Sequence, residues 1–435
     1  MTPAARVSET PCRDKKAYAW VVVGLLWGVA LLNYMDRQML STMKAAMMGD
    51  IRELQSAENF GRLMAVFLWV YGLMSPVAGL IADRLNRKRL IVGSLAVWSA
   101  VTLGMGFVTR FDVLYALRAL MGVSEALYIP AGLALIADYH AGNTRSLAVG
   151  VHMTGLYLGQ ALGGFGAAVA LKLSWQQTFR LFGLIGIAYS VVLIALLREK
   201  RDGGEPAQGP AAAAEHPVAA ASREGLRAVF RSLSLLLGTA SFWVILFYFA
   251  APSFPGWGIK NWLPTLFSKT LGLGMEKAGP MATIATAGSS FFGVIIGGIL
   301  ADRWMRRTLR GRIYTGAIGL SLTLPALLLL GFGTGVAEVL GGAAMFGVGF
   351  GMFDANNMPI LCQFVPPRRR AAGYGILNLA GVFAGAVVTS LLGKSTDAGR
   401  LGHDIALLAI PVALAVALQL AALRPTTADM REAGG

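Results

Sequence analysis

Twelve apolar stretches, each about 20 residues long, constrain this chain more than any other feature. That is the length a helix needs to cross about 30 Å of hydrocarbon. They are centred near Leu26, Tyr71, Val97, Glu125, Gly155, Ile187, Phe247, Phe291, Leu322, Phe346, Val382 and Leu414. Hydrocarbon offers the backbone no hydrogen-bond partners, so segments that span it singly must be helices. Only 14% of the 435 residues are charged and 55% are hydrophobic, against about 25% charged in a soluble domain. The expectation is an all-α membrane protein with twelve transmembrane helices. A soluble two-domain enzyme and a disordered chain are both excluded.

The formal charge of +15 would suggest nucleic acid in a soluble chain. Here the basic residues collect in short segments between apolar runs, and no basic face is interleaved with aromatics. About 25 of the 38 Lys and Arg fall on one side of the spans and about 10 on the other. The richer side carries both termini, which places them in the cytoplasm of a cell inner (plasma) membrane. Arg13, Lys15 and Lys16 precede an apolar run from Ala17 to Leu32. No small-residue cleavage site closes that run, so it reads as the first span rather than a signal peptide. Cys12 and Cys362 fit no metal or disulfide spacing and read as free thiols.

Residues 198–232 form the longest inner segment and include GGEPAQGPAAAAEHPVAAAS, too poor in aromatics to pack. The segment divides the spans six and six. The organisation expected is a cytoplasmic tail over 1–17, a six-helix bundle over 18–197, a linker over 198–232, a second bundle over 233–424 and a tail over 425–435. The halves repeat. Gly79-x3-Asp83-Arg84-x2-Arg87-Lys88-Arg89 follows the second span and Gly298-x3-Asp302-Arg303-x2-Arg306-Arg307 the eighth, 219 residues on. His152, Gly155 and Gly159 align with Asn378, Gly381 and Gly385 at an offset of 226. Parallel repeats of six spans are the pattern of a transporter whose two bundles rock about a central site.

GLIADRLNRKR, with its weaker partner GGILADRWMRR, resembles the loop motif of the major facilitator superfamily. LNYMDRQ in the first span resembles the Tyr-x-Asp-Arg signature of the anion:cation symporter family, whose members move sugar acids and other organic anions with protons. Arg118 and Glu125 match that family's fourth-span pair. YGLMSPVAGLIADR places Tyr71 on a tyrosine used near substrate, WLPTLF from Trp262 echoes the seventh span, and Asn378 matches a family asparagine. FDANNMP and Lys260 depart from the pattern. The spinster lipid-transporter family also carries Asn-Tyr-Met-Asp-Arg in its first span.

An Asp, Lys or Arg at a helix centre costs roughly 2.5–3.5 kcal/mol on insertion scales, so intramembrane charges mark function or pairing. Asp36, Arg37, Arg118, Glu125 and Asp354 all fall within spans. Arg118 and Glu125 are two helical turns apart and share a face. Asp36 and Arg37 are adjacent and point about 100° apart. Arg37, a permanently charged fork, suits a substrate carboxylate. Asp36 and Glu125, desolvated beside Arg118, suit proton coupling. At the repeat offset Glu125 and Arg118 fall on Phe350 and Ala343, so proton handling belongs to the first half and substrate recognition to the second. Candidate substrate-binding residues are Arg37, Tyr34, Tyr71, Gln160, Lys260, Asp354, Asn356, Asn357 and Asn378, with Tyr157 also facing the cavity. Lys260 and Asp354 can instead lock together as an ion pair. Asp83, Arg84, Arg87, Asp302 and Arg303 are candidate gate residues. His152 reads as a packing histidine.

No nucleophile–base pair, phosphate loop or metal cluster is present in the sequence, so neither enzyme activity, metal nor cofactor is expected. The function expected is proton-coupled import of an organic anion such as a hexuronate or aldonate by a monomer whose other partners are protons and membrane lipid, with no nucleic acid. The alternative is a spinster-like lipid transporter or a proton-coupled exporter of small amphiphiles.

Overall fold

The computed structural model describes residues 10–140, 144–199, 237–365 and 367–425, and among these all regular structure is helical. The expected linker from residue 200 onward and the C-terminal tail from 426 onward lie outside the described residues. In the first half the helices are α1 (Thr10–Met47), α2 (Ala57–Arg84), α3 (Arg87–Met105), α4 (Phe111–Ala126), α5 (Tyr128–Tyr139), α6 (Arg145–Gly163), α7 (Gly166–Leu173) and α8 (Trp175–Leu196). In the second they are α9 (Ala240–Leu271), α10 (Met275–Met305), α11 (Gly311–Phe332), α12 (Val336–Phe364), α13 (Pro367–Asp397), α14 (Leu401–Leu407) and α15 (Ala409–Ala422).

Eleven of the resulting spans are long and apolar enough to cross a membrane, α4 joining α5 and α14 joining α15 as single spans. The bent pair α6 and α7, with 49° between its parts, makes the twelfth. Helix α1 runs on to Met47, past the apolar run that stops at Leu32. Asp36 and Arg37 break the hydropathy there but not the helix, because both side chains turn into the protein. Side chains close the helix ends: Ser56 Oγ accepts from Asn59 N at 3.4 Å, Asn86 Oδ1 from Arg89 N at 2.9 Å and Ser174 Oγ from Gln177 N at 3.2 Å.

The repeat extends to packing. A Cβ on Gly155 of α6 would lie 2.8 Å from the Trp27 carbonyl oxygen of α1, and one on Gly381 of α13 2.8 Å from Ser253 Oγ of α9. Gly159 stands against Leu31 as Gly385 stands against Trp257. Each of the four residues in one half has its counterpart 226 positions later. Gly122 of α4 likewise approaches the Phe67 carbonyl of α2, and Gly347 of α12 the Thr286 carbonyl of α10. With no hydrophobic drive between helices in lipid, such close backbone approach supplies the packing.

Helices α2 with α13, α6 and α7 with α10, and α1 with α9 join the halves. Among the described residues, most hydrogen bonds and ion pairs between the halves lie at the end where α1 stops and α2 starts. There the Asp397 carboxylate, at the end of α13, accepts from Ala57 N (2.7 Å), Glu58 N (2.9 Å) and Ser56 Oγ (2.8 Å), so that it caps α2 of the other half. Lys394 pairs with Glu58 at 3.4 Å. Thr283 Oγ1 donates to the Ala161 carbonyl of the other half at 3.0 Å. Toward the termini, the last described hydrogen bond between the halves is Asn378 Nδ2 to Ser75 Oγ at 3.4 Å. Among the described residues, the Asp397 and Lys394 contacts seal one end.

Because the Asp397 cap exists only while this end is shut, its loss should favour the opposite state. A charged cap at a helix N-terminus contributes about 0.5–2 kcal/mol, roughly a two- to thirtyfold change in the equilibrium. Spin labels at positions 53 and 400, both exposed, should report longer distances in Asp397→Ala than in wild type. An unchanged distribution would show that the cap biases nothing.

Candidate functional site

The charges that sequence places inside spans come together in the first half. Arg37 of α1 donates through Nε to Glu125 Oε2 of α4. Glu125 is fully buried and the Arg37 side chain is 11% exposed. The guanidinium carbon of Arg37 lies over three rings, Tyr34 at 5.0 Å and Phe67 and Tyr71 at 4.8 Å each. Phe67 also receives Arg118, whose guanidinium carbon is 4.8 Å from its centroid. Tyr34 and Tyr71 are therefore held in an aromatic cage around Arg37, in which cation–π attraction supports the charge away from water.

Asp36 is buried, close to Arg118, Glu125 and Thr102. Arg118 does not pair with Glu125. Its Nη1 approaches Met121 Sδ at 3.0 Å, one turn along its own helix. Four buried charges thus make one ion pair. Glu125 Oε1, Arg37 Nη2, Asp36 Oδ1 and Arg118 Nε find no hydrogen-bond partner in the protein. Buried polar groups are normally satisfied, so a network left this incomplete is costly.

The second half faces this network. Asp354 of α12 lies deep in its span, yet its side chain is exposed, so it borders the central cavity. Asn357 Nδ2 donates to Asp354 Oδ1 at 3.3 Å. The Lys260 ammonium sits over the Trp257 ring at 5.0 Å. No ion pair within 4.0 Å joins Lys260 to Asp354 among the described residues, so the alternative of a static lock is not what the structure contains. Both Tyr34 and Lys260 lie within electrostatic reach of Arg37 and of Asp354, bridging the two walls. They occupy equivalent places in the repeat, 226 residues apart.

Other expected residues sit elsewhere. Asn356 is buried and donates to the Met352 carbonyl of its own helix at 2.8 Å. Asn378 bridges the halves on Ser75 rather than lining the charged centre. Gln160 is buried one turn from Tyr157, whose ring meets Phe291 at 6.4 Å. Arg87 pairs with Asp138 within its own half, while Glu199 caps α3 by accepting from Arg87 N (3.1 Å) and Lys88 N (2.6 Å). Asp302 and Arg303 are exposed at the end of α10. Asp83 and Arg84 end α2, and their side chains lie outside the described residues. His152 is fully buried against Tyr128, and neither ring nitrogen has a hydrogen-bond partner among the described residues. A surface depression of 530 Å³ lined by Lys269, Arg400 and His403 lies at the sealed end, apart from the charged centre.

Phe67, Gln38, Trp257 and Asp397 were not singled out by sequence. Phe67 is four residues before Tyr71, on the same face of α2, and that spacing is its signal. Gln38 donates to the Lys260 carbonyl across the halves at 2.9 Å; nothing in sequence marks it.

The family model described as Major Facilitator Superfamily matches residues 26–389. The "Probable galactarate/D-glucarate transporter GarP" of Escherichia coli K12 is 25% identical over 409 residues, 86% of this chain and 87% of that protein. The "D-galactonate transporter" of Escherichia coli O6:H1 is 25% identical over 400 residues, 86% of this chain and 88% of its own. "Protein spinster homolog 1" of Rattus norvegicus is 29% identical over 247 residues, 52% of this chain. The chain spans less than half, 45%, of that spinster protein. The crystal structure of a bacterial homolog to the human lysosomal transporter Spinster, inward-facing and unoccupied, superposes with a TM-score of 0.79. It is 19% identical, and the match covers 97% of this chain and 99% of that one.

Breaking a buried ion pair from one side costs about 3–5 kcal/mol, since a charge is stranded. Arg37→Met alone should therefore melt well below wild type in detergent. Adding Glu125→Gln to it should recover part of the loss, giving a coupling of at least about 1 kcal/mol. Additive melting shifts in this double-mutant cycle would show that the two side chains are energetically independent.

Proposed function

Because this chain belongs to the major facilitator superfamily, and so is a multi-pass membrane transporter rather than an enzyme, we propose that it imports an organic anion of the sugar-acid class together with protons. The observation that carries the reading is the ion pair of Arg37 with Glu125, inside the membrane, at the edge of the cavity and within an aromatic cage. Arg37 cannot serve both Glu125 and a substrate carboxylate. When Glu125 takes up a proton it releases the guanidinium, and an incoming anion replaces it. Binding of the anion therefore follows protonation, and loss of the proton expels the anion by restoring the internal pair. This competition is a coupling free energy between two ligands at one residue.

Asp36 and Arg118 stand behind this exchange. Arg118, short of partners, steadies whichever neighbouring carboxylate is ionised, so Asp36, Glu125 and Arg118 form the proton-coupling set. Arg37, Tyr34, Tyr71, Lys260, Asp354 and Asn357 form the substrate-binding set, with Gln160, Asn356 and Asn378 supporting the walls. With both termini cytoplasmic in an inner membrane, the sealed end faces outward and the cavity opens inward. Asp83, Arg84, Arg87, Asp302 and Arg303 act at the inner gate, with residues 198–232 as the linker between bundles. The protein works as a monomer in lipid. The two Escherichia coli relatives, named for sugar acids and matching most of this chain, support the substrate class.

The second reading is a spinster-like lipid carrier or exporter of amphiphiles, favoured by the spinster relatives. The polar second-half wall at Asp354 and Asn357 weighs against it.

Proteoliposomes in weak buffer decide between them. Adding hexuronates and aldonates outside should alkalinise the medium with wild type and not with Glu125→Gln, which should still exchange substrate across the membrane. Arg37→Ala should bind the anion at least about tenfold more weakly, the effect of losing a charged hydrogen bond. No pH change with sugar acids, together with transport of a lysophospholipid, would establish the second reading instead.

A further inference from the structure

We propose that Gln38 is a positioning residue for transport: its amide clasps the main chain of α9 at Lys260, beside the charged centre, and so sets the balance between the closed and open states of the sealed end. The inference rests on the transport reading above and extends it to the step that opens the cavity. It begins with a proline. In an α-helix the carbonyl of each residue accepts from the N–H four residues on. Proline has no N–H, and its ring crowds that same carbonyl. Pro264 lies inside α9, so it deprives the Lys260 carbonyl of its helical donor.

Gln38 supplies a donor from the other half. Its Nε2 donates to the Lys260 carbonyl at 2.9 Å and to Ser41 Oγ at 2.7 Å, and Ser41 Oγ donates in turn to the Gln38 carbonyl at 2.7 Å. Both protons of the amide are thus committed, and both side chains are buried, Gln38 at 7% and Ser41 at 1% exposure. The repeat explains why this residue meets that carbonyl. Gln38 and Pro264 are counterparts at the offset of 226, as are Tyr34 and Lys260. In the unbroken α1 the Gln38 N–H stands four residues beyond the Tyr34 carbonyl. In α9 the same place holds Pro264, and the Gln38 side chain replaces the N–H that proline lacks. Gln38 follows Arg37 on the side of the sealed end, so opening that end draws α1 away from α9 and breaks the clasp. A neutral hydrogen bond made in one state and absent from the other shifts their ratio about fivefold.

Spin labels at positions 53 and 400, one in each half, test this in the purified full-length protein without substrate. Gln38→Leu should raise the ratio of open to closed distances about fivefold over wild type. Pro264→Ala returns an N–H to α9, which takes up the Lys260 carbonyl. In that background the same Gln38→Leu change should move the ratio by less than about twofold, because coupled residues do not add. A shift of equal size in both backgrounds would show that Gln38 acts by packing and not through this carbonyl. No shift in Gln38→Leu alone would show that the clasp biases nothing. Either result overturns the inference. Both are read without any anion, so they leave the organic-anion reading to the proteoliposome experiment, whose failure would in turn leave the clasp standing.

Discussion

The ion pair between Arg37 and Glu125 is the interaction on which the rest of the site depends. It lets α1 continue as a helix through a region where isolated charges would be too costly for lipid, and it ties α1 to α4 across the first half. It also orders the cage: Tyr34, Phe67 and Tyr71 come from two helices and converge because a guanidinium sits among them. A pair of this kind gives little net stability, since desolvation offsets most of the attraction. In the proposed function its use is that it has a rival, an organic anion that competes for the same fork.

Packing allows such a pair to change partners. Glycines on α6 meet the backbone of α1, and glycines on α13 meet side chains of α9, at positions related by one repeat offset. Each half is thereby stiff. Between halves, the described hydrogen bonds cluster at one end, where a carboxylate from one half caps a helix of the other. In the proposed transport cycle, halves joined by contacts at one end rock about the centre, which moves Asp354 and Lys260 relative to Arg37.

The asymmetry between halves has a chemical meaning. Where the first half carries Arg118 and Glu125, the second carries Ala343 and Phe350, with Phe350 stacked on Phe346 at 5.6 Å. Where the first half has Tyr34, the second has Lys260. Duplication thus supplied two similar frames, one holding a cluster of buried charges and the other a polar wall at Asp354 and Asn357.

Sequence alone determined the spans, the repeat and the charges that lie within spans, because lipid penalises every charge it cannot hide. Asp36, Arg37, Arg118, Glu125 and Asp354 stand out for that reason before any fold is known, and so do the glycines at fourfold spacing. Tertiary structure alone decided the partners. Arg37 and Glu125 are 88 residues apart, and nothing in their local sequence says that they pair while Arg118, on the same helix as Glu125, does not. Asn356 and Asn357 are adjacent, yet one turns to its own backbone and the other to Asp354. Asp397 became a cap only when α13 met α2. Which rotation a helix adopts about its axis, and which neighbour it meets, follow from packing summed over the whole bundle, and no single segment encodes that sum.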